Sequence, residues 1–135
     1  MTDHLETKLE IKSWDERPYK ELADGQKFSR ADVALSVATD AIEAEATSQS
    51  LLYYRPDGTS AFTGLMHIVG RLGDRSGSVV LLGTGTYDGT QARVEYAVVP
   101  DSGTGELAGI TGSGASVSTH ADYPFMPLTL DYETP

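Results

Sequence analysis

The sequence contains no cysteine, so disulfide bonds, thiolate metal ligands and cysteine nucleophiles are all excluded. Basic residues are scarce as well: 10 Lys and Arg stand against 20 Asp and Glu, which gives a formal net charge of −10 at pH 7. Because phosphate binding needs clustered Lys and Arg, this charge argues against a nucleic-acid partner. There is no apolar run near the roughly 20 residues of a membrane span, and the N-terminus has no signal-peptide pattern. We therefore expect a cytoplasmic protein with no membrane partner.

A chain of 135 residues with 39% hydrophobic residues predicts one domain, residues 1–135, with a core of its own. Basic residues end at Arg93, and residues 94–135 carry six acidic side chains. A solvated acidic face explains this asymmetry, although a cation site or a basic partner would explain it too. Thirteen of the 14 glycines lie between Gly58 and Gly114, where we expect the chain to turn often or to pass close to itself.

The first half of the chain shows two stretches with the period-two alternation of β-strands. In residues 5–13, Leu and Ile alternate with Glu and Lys, which predicts a strand with one solvated face. The polar residues 15–27 include Pro18 and Gly25 and are expected to form a loop with at most one helical turn. Residues 31–37 predict a second strand, although the alanines in residues 31–46 are also compatible with a helix.

After Ser50 the sequence predicts short strands joined by tight turns. The turns are indicated by Pro-Asp-Gly, by Gly-Asp-Arg-Ser-Gly and by Asp-Gly, and a Gly-rich stretch follows at residues 101–114. The strands are expected at residues 51–55, 59–72, 78–87, 91–99, 115–119 and 128–132. About eight strands without a long helix indicate an all-β sandwich or barrel, and a closed barrel would leave no strand edge exposed.

Residues 54–112 contain the motifs YRPDG, GRLGDRSGS and SGTGELAGITG. Together with KSWDERPY and the closing LDY, they resemble an uncharacterised bacterial family of small barrels, domain of unknown function 3224. That family is similar in fold to the allene oxide cyclase and dirigent proteins of plants, and the third motif resembles the Gly-Thr-Gly signature of dirigent proteins. The resemblance implies a single eight-stranded antiparallel β-barrel, allene oxide cyclase-like, with a ligand-sized interior. It carries no assigned function.

The chain departs from the family pattern at two positions that we expect to face the interior. The family often has Glu and His there, and this sequence has Met66 and Gly83. By alternation, Met66 shares a face with Phe62, and Gly83 shares one with Leu81. If both faces point inward, the interior is more apolar and roomier than the family norm.

Glu43 and Glu45 are the candidate carboxylates of the site, since residues two apart on a strand share one face. Pointing inward, they would form a carboxylate pair in an apolar interior, an arrangement suited to general acid and base chemistry. Pointing outward, they would be solvated surface charges. The alternation alone leaves both orientations open.

Tyrosine supplies a large apolar ring with one polar tip, which suits an oxygenated hydrophobic ligand. We therefore predict Tyr54 and Tyr96 as catalytic residues together with Glu45. Each of these aromatic side chains could equally fill a core. The predicted substrate-binding residues are Trp14, Glu43, Phe62, Met66, Leu81 and Tyr132.

Other site motifs are absent or incomplete, so we expect neither a metal nor a cofactor. His4, His67 and His120 lack the spacing of metal ligands, and alternation places His67 on the outer face. The stretch GTGELAG lacks the Gly-Lys-Ser/Thr ending of a phosphate-binding loop, and no Gly-x-Ser-x-Gly occurs.

Three functions remain open from the sequence. The first is a cofactor-free cyclase or isomerase that acts on a small hydrophobic oxygenated molecule inside the barrel, with Glu45, Tyr54 or Tyr96 moving protons. The second is a non-catalytic binding protein for a hydrophobic small molecule. The third is a filled-core structural barrel that associates with further copies of itself. A cavity lined with acid or base groups would favour the enzyme, a purely apolar cavity would favour the binding protein, and a solid interior would favour the structural barrel.

Overall fold

The computed structural model describes residues 2–135 and consists almost entirely of β-strands. Two short 3-10 turns, Ala23–Gly25 and His120–Asp122, are the helical segments of the described chain. None of the helices in this part of the chain is long and apolar enough to cross a membrane. The strands are β1 (Asp3–Glu21), β2 (Lys27–Ala38), β3 (Ile42–Tyr54), β4 (Ser60–Leu72), β5 (Arg75–Tyr87), β6 (Gln91–Val98), β7 (Thr104–Gly105), β8 (Thr111–Thr119) and β9 (Phe125–Glu133).

Eight of these strands form a closed antiparallel barrel. The strands follow the order β4-β3-β2-β1-β9-β8-β6-β5, and β5 pairs with β4 to complete the ring. The two-residue strand β7 pairs with Gly77 and Ser78 of β5, outside the stretch of β5 that β6 covers. Closure gives each of the eight long strands a paired neighbour on both sides. The predicted all-β, eight-stranded antiparallel barrel is therefore confirmed.

Alternation along the strands sends apolar side chains into the barrel and polar ones to solvent. In β4, Met66 and Ile68 are buried while His67 between them is exposed, as the sequence predicted. In β5, Val79 and Leu81 are buried in the same way. Residues 31–38 belong to β2 and residues 42–46 belong to β3. The alternative prediction of a helix in residues 31–46 is therefore wrong.

The first strand differs most from the sequence prediction, because it runs to Glu21 where a loop was expected from Asp15. Its register against β2 shifts between Ile11 and Ser13, which is a β-bulge at Lys12. Lys12 and Ser13 are both exposed, so the side-chain alternation changes phase at this point. Ile11 faces inward before the bulge, and Trp14 faces inward after it.

One end of the barrel is filled by a solid apolar core. The connection between β6 and β8 folds over this end and places Leu107 and Ile110 inside, at 1% and 2% exposure. The Gly-rich stretch of residues 101–114 therefore wraps these two side chains. Across the described residues of the whole barrel, the largest fully buried aliphatic side chains are Leu9, Ile42, Val79, Leu81, Leu107, Leu128 and Leu130.

Candidate functional site

The other end of the barrel contains a cavity of about 390 Å³. It opens where the connections β1–β2, β3–β4, β5–β6 and β8–β9 meet, opposite the end that Leu107 fills. Its walls are mainly apolar, with serine hydroxyls and a few larger polar groups between them. The side chains that form the apolar wall include Ile11, Val33, Leu35, Leu52, Phe62, Met66, Val94, Tyr96 and Met126.

Two glycines of β5 make room for the aromatic rings of this wall. A Cβ atom at Gly83 would lie 2.7 Å from Cε1 of Tyr96, and one at Gly85 would lie 2.7 Å from Cζ of Phe62. Such distances are too short for carbon atoms in contact, so each ring requires a residue without a side chain beneath it. The glycines expected at close approaches therefore also shape the cavity.

The main polar group of the cavity is the carboxylate of Glu16, which three side chains hold in place. The hydroxyl of Tyr54 donates a hydrogen bond to Oε2 of Glu16, and Oγ of Ser29 donates to the same oxygen at 3.0 Å. The other oxygen, Oε1, accepts from Nε1 of Trp14 at 3.2 Å. Hydrogen bonds to an ionised acceptor are the stronger kind, so this cluster fixes the carboxylate at the cavity wall.

Two of the four tyrosines that line the cavity, Tyr54 and Tyr96, keep their protons well into the alkaline range. Burial raises the pKa of Tyr96 to about 12, and its hydroxyl contacts Sδ of Met126 at 3.8 Å. Burial, followed by the hydrogen bond and charge of Glu16, raises the pKa of Tyr54 to about 12 as well. Both phenols are therefore neutral at physiological pH and can serve as hydrogen-bond donors.

A second polar contact lies at the mouth of the cavity and joins two of its connections. The hydroxyl of Tyr87 lies 3.0 Å from the carbonyl oxygen of Gly89 and 2.9 Å from Nε2 of His120. The hydroxyl donates to the carbonyl, so the imidazole Nε2–H donates to Tyr87. The two rings meet edge to face at a centroid distance of 6.0 Å. This contact ties the β5–β6 turn to the β8–β9 connection.

Five of the predicted site residues line the cavity. Trp14, which is 54% exposed, forms part of its mouth, and Tyr54 lies beside it across Glu16. Phe62, Met66 and Tyr96 form its deeper wall. The structure therefore brings together Trp14, Tyr54, Phe62 and Tyr96, four of the five aromatic residues that the sequence selected as a pocket lining.

Leu81 and Tyr132 are buried but do not line the cavity. Leu81 is fully buried in the core, and Tyr132 lies at the filled end, where its hydroxyl is near Gly73. Their predicted contact with a ligand in this cavity is not supported, since residues of the core separate them from the open end.

The inward orientation considered for Glu43 and Glu45 is wrong. Both side chains are exposed, while Ala44 and Ala46 between and beyond them are buried. Glu43 lies 3.9 Å from Arg71 on the outer surface. The alanines take the inward positions of β3, so the outward alternative holds and Glu45 cannot reach a ligand in the cavity.

Glu16 and Ser29 are the functional candidates that the sequence reasoning missed. The stretch around Glu16 was interpreted as a loop because of Pro18 and Gly25, yet it continues the strand. A signal was available, because Trp14 was expected to face a ligand and Glu16 lies two residues further along. The described residues contain no group of three His, Cys, Asp or Glu side chains placed to hold a metal ion.

The chain resembles proteins of unknown function. A crystal structure of a protein of unknown function from the DUF3224 family of Shewanella oneidensis MR-1 superposes with a TM-score of 0.73 and 22% sequence identity. The match covers 98% of this chain and 99% of that one, and it supports the barrel fold. A comparison with curated proteins finds no match. The family model described as "Protein of unknown function (DUF3224)" matches residues 5–132, and the chain therefore belongs to the DUF3224 family.

Proposed function

We propose that the protein binds a small hydrophobic molecule with one polar group inside the open end of the barrel. The cavity of about 390 Å³, apolar except for a few placed hydrogen-bonding groups, carries this proposal. Such a lining is typical of sites for small molecules, because the apolar wall supplies affinity and the polar groups fix orientation. A filled structural barrel would leave no such space, so the cavity favours binding over that alternative.

Titration with octanol tests the proposal. Burial of its alkyl chain contributes about 0.8 kcal/mol per methylene, or about 6 kcal/mol before the loss of ligand freedom is subtracted. We expect a dissociation constant in the millimolar range or tighter, measured by calorimetry and by the fluorescence of Trp14, the single tryptophan of the chain.

A pair of variants on neighbouring residues provides the control. Ser50 lines the cavity, whereas Gln49 beside it is exposed on the outer face. Ser50→Phe is expected to weaken octanol binding at least tenfold by filling the cavity, and Gln49→Phe is expected to leave it unchanged. Equal affinities for the two folded variants would contradict binding inside the barrel.

The Glu16–Tyr54 pair favours a second candidate, the cofactor-free isomerase or cyclase that the resemblance to allene oxide cyclase-like barrels implies. In this scheme the carboxylate of Glu16 takes a proton from the carbon next to a ligand carbonyl. The electron pair of that C–H bond forms a C=C bond, and the carbonyl oxygen becomes an enolate. Once Glu16 has taken the proton, the hydroxyl of Tyr54 turns from Glu16 and donates its hydrogen bond to the enolate oxygen. In a ligand with a C=C bond one carbon further from the carbonyl group, the enolate extends over that bond, and return of the proton from Glu16 to the far carbon shifts the double bond and completes an isomerisation.

Hydrogen exchange into a bound ketone tests this second candidate. Methyl hexyl ketone in deuterium oxide should gain deuterium next to its carbonyl group faster with the protein than without it, as followed by NMR. Glu16→Gln should abolish the acceleration, and Glu45→Gln, on the outer surface, should not. A rate that Glu16→Gln leaves unchanged would exclude Glu16 as the base.

A further inference from the structure

The charges around the cavity indicate which polar group a ligand would carry, an inference that rests on the proposed binding function. We propose that the cavity takes a small hydrophobic amine in its protonated form, with the ammonium group paired to the carboxylate of Glu16 and the alkyl part against Phe62, Met66 and Tyr96. This assignment goes beyond a hydrophobic molecule with an unspecified polar end, and it follows from the three observations below.

The first observation is that Glu16 has hydrogen-bonding capacity left over. A carboxylate accepts at about four lone-pair positions. Tyr54 and Ser29 both donate to Oε2, whereas Trp14 alone donates to Oε1. Oε1 therefore has room for a further donor from inside the cavity. An ammonium, which has donors and no acceptor, satisfies this position, while a ligand carboxylate or ether would offer it nothing.

The second observation is that the charge of Glu16 has no basic partner among the described residues. The ion pairs in this part of the chain join other groups, and none of them includes Glu16. Lys27 pairs with Tyr54 in register and lies over the ring of that tyrosine, 4.8 Å from its centroid, without an ion pair to Glu16. A carboxylate at the wall of an apolar cavity is stabilised by a cation that pairs with it, and the ligand would supply that cation.

The third observation concerns the surroundings of that position. The described lining contains no Lys or Arg, and its ionisable side chains besides Glu16 are four tyrosines and His120 at the mouth, so no lysine or arginine of the lining competes with a ligand cation. The net charge of −10 attracts cations to the protein and repels anionic ligands at long range.

Three ligands with the same alkyl chain test the inference: octylamine, octanol and octanoate, titrated by calorimetry at neutral pH and constant salt. We expect octylamine to bind at least tenfold more tightly than octanol, and octanoate to bind more weakly than either. Glu16→Gln should remove most of the advantage of octylamine while it leaves octanol within about twofold. Glu45→Gln, which removes a charge from the outer surface, should change none of the three affinities.

The outcomes separate this inference from the proposal on which it rests. If octanol binds and octylamine has no advantage, or if octanoate binds best, the amine assignment is overturned while binding in the barrel stands. If none of the three binds, the binding function itself fails. The comparison of the three ligands on the unmodified protein decides the question even if Glu16→Gln does not fold.

Discussion

At the scale of single residues, the cavity depends on where each polar group finds its partner. Glu16 is held by Trp14, Ser29 and Tyr54, so one charged group in an apolar wall is satisfied by donors from β1, β2 and β3. Tyr96 lies deeper and has only the thioether of Met126 as a hydrogen-bonding contact. The wall therefore divides into a polar region at the mouth and an almost apolar region below it, which gives a bound molecule a preferred direction.

The buried hydroxyl of Tyr96 predicts a loss of stability at alkaline pH. Burial raises its pKa from 10.0 to about 12, so between these values the folded protein holds a proton that the unfolded chain releases. This contribution to the free energy of unfolding is complete below pH 10 and declines as the pH rises toward 12. Tyr96→Phe removes the titrating group, so the variant should lose less stability than the unmodified protein across this window.

Urea unfolding at a series of pH values measures the effect. The difference in midpoint between Tyr96→Phe and the unmodified protein should shift in favour of the variant as the pH rises from 10 to 12. Tyr19 is 58% exposed, so Tyr19→Phe is the control. Its urea midpoint should change with pH in the same way as that of the unmodified protein. Parallel curves for all three proteins would show that Tyr96 ionises in the folded state as easily as in the unfolded one.

At the scale of elements, the bulge in β1 decides which side chains reach the cavity. Residues before it face inward at odd positions, as Leu5 and Leu9 show, and Trp14 and Glu16 face inward after it at even positions. Strict alternation continued from Leu9 would have placed Asp15 inside and Glu16 in solvent. The extra residue at Lys12 therefore moves the carboxylate into the barrel.

Deletion of Lys12 tests this account of the strand. Removing the extra outward residue restores simple alternation, with Ile11 and Trp14 still inside, so the barrel should fold and still bind octanol. Deletion of Lys8, in the regular part of the strand, moves Leu5 to the solvent face and should lower the free energy of unfolding by about 2–5 kcal/mol. Chemical denaturation measures both effects. If the Lys12 deletion lowers the free energy of unfolding as much as the Lys8 deletion does, the bulge has a structural role beyond deciding which side chains of β1 face inward.

The same strand shows how far the sequence could predict the site. Apolar alternation in β2, β4 and β5 identified the inward faces of Met66 and Leu81, because those strands are regular and one face is buried. The barrel followed from the turns and from the resemblance to a family. Alternation continued from Leu9 could not place Glu16 inside, since a bulge has no signature in the residues themselves, and only its spacing of two residues from Trp14 pointed to it. Glu45 was a plausible carboxylate, but the small alanines beside it take the inward positions.

At the scale of the whole molecule, the two ends of the barrel have different roles. The end covered by Leu107 and Ile110 is solid, and the end that carries Glu16 is hollow. The filled end contributes hydrophobic stabilisation, which allows the other end to keep a cavity that contributes less. Association of the barrel with further copies of itself stays a prediction, which light scattering can test.

A substitution at the filled end should therefore affect stability without affecting binding. Leu107→Ala leaves a cavity in the solid core and is expected to lower the free energy of unfolding by about 2–5 kcal/mol, as measured by urea denaturation. The dissociation constant of octanol, measured at a temperature where the variant is fully folded, should stay within about twofold of the original value. Ser50→Phe at the open end should show the opposite result, a loss of binding with a smaller loss of stability. Weakened octanol binding in folded Leu107→Ala would mean that the core at one end positions the walls of the cavity at the other.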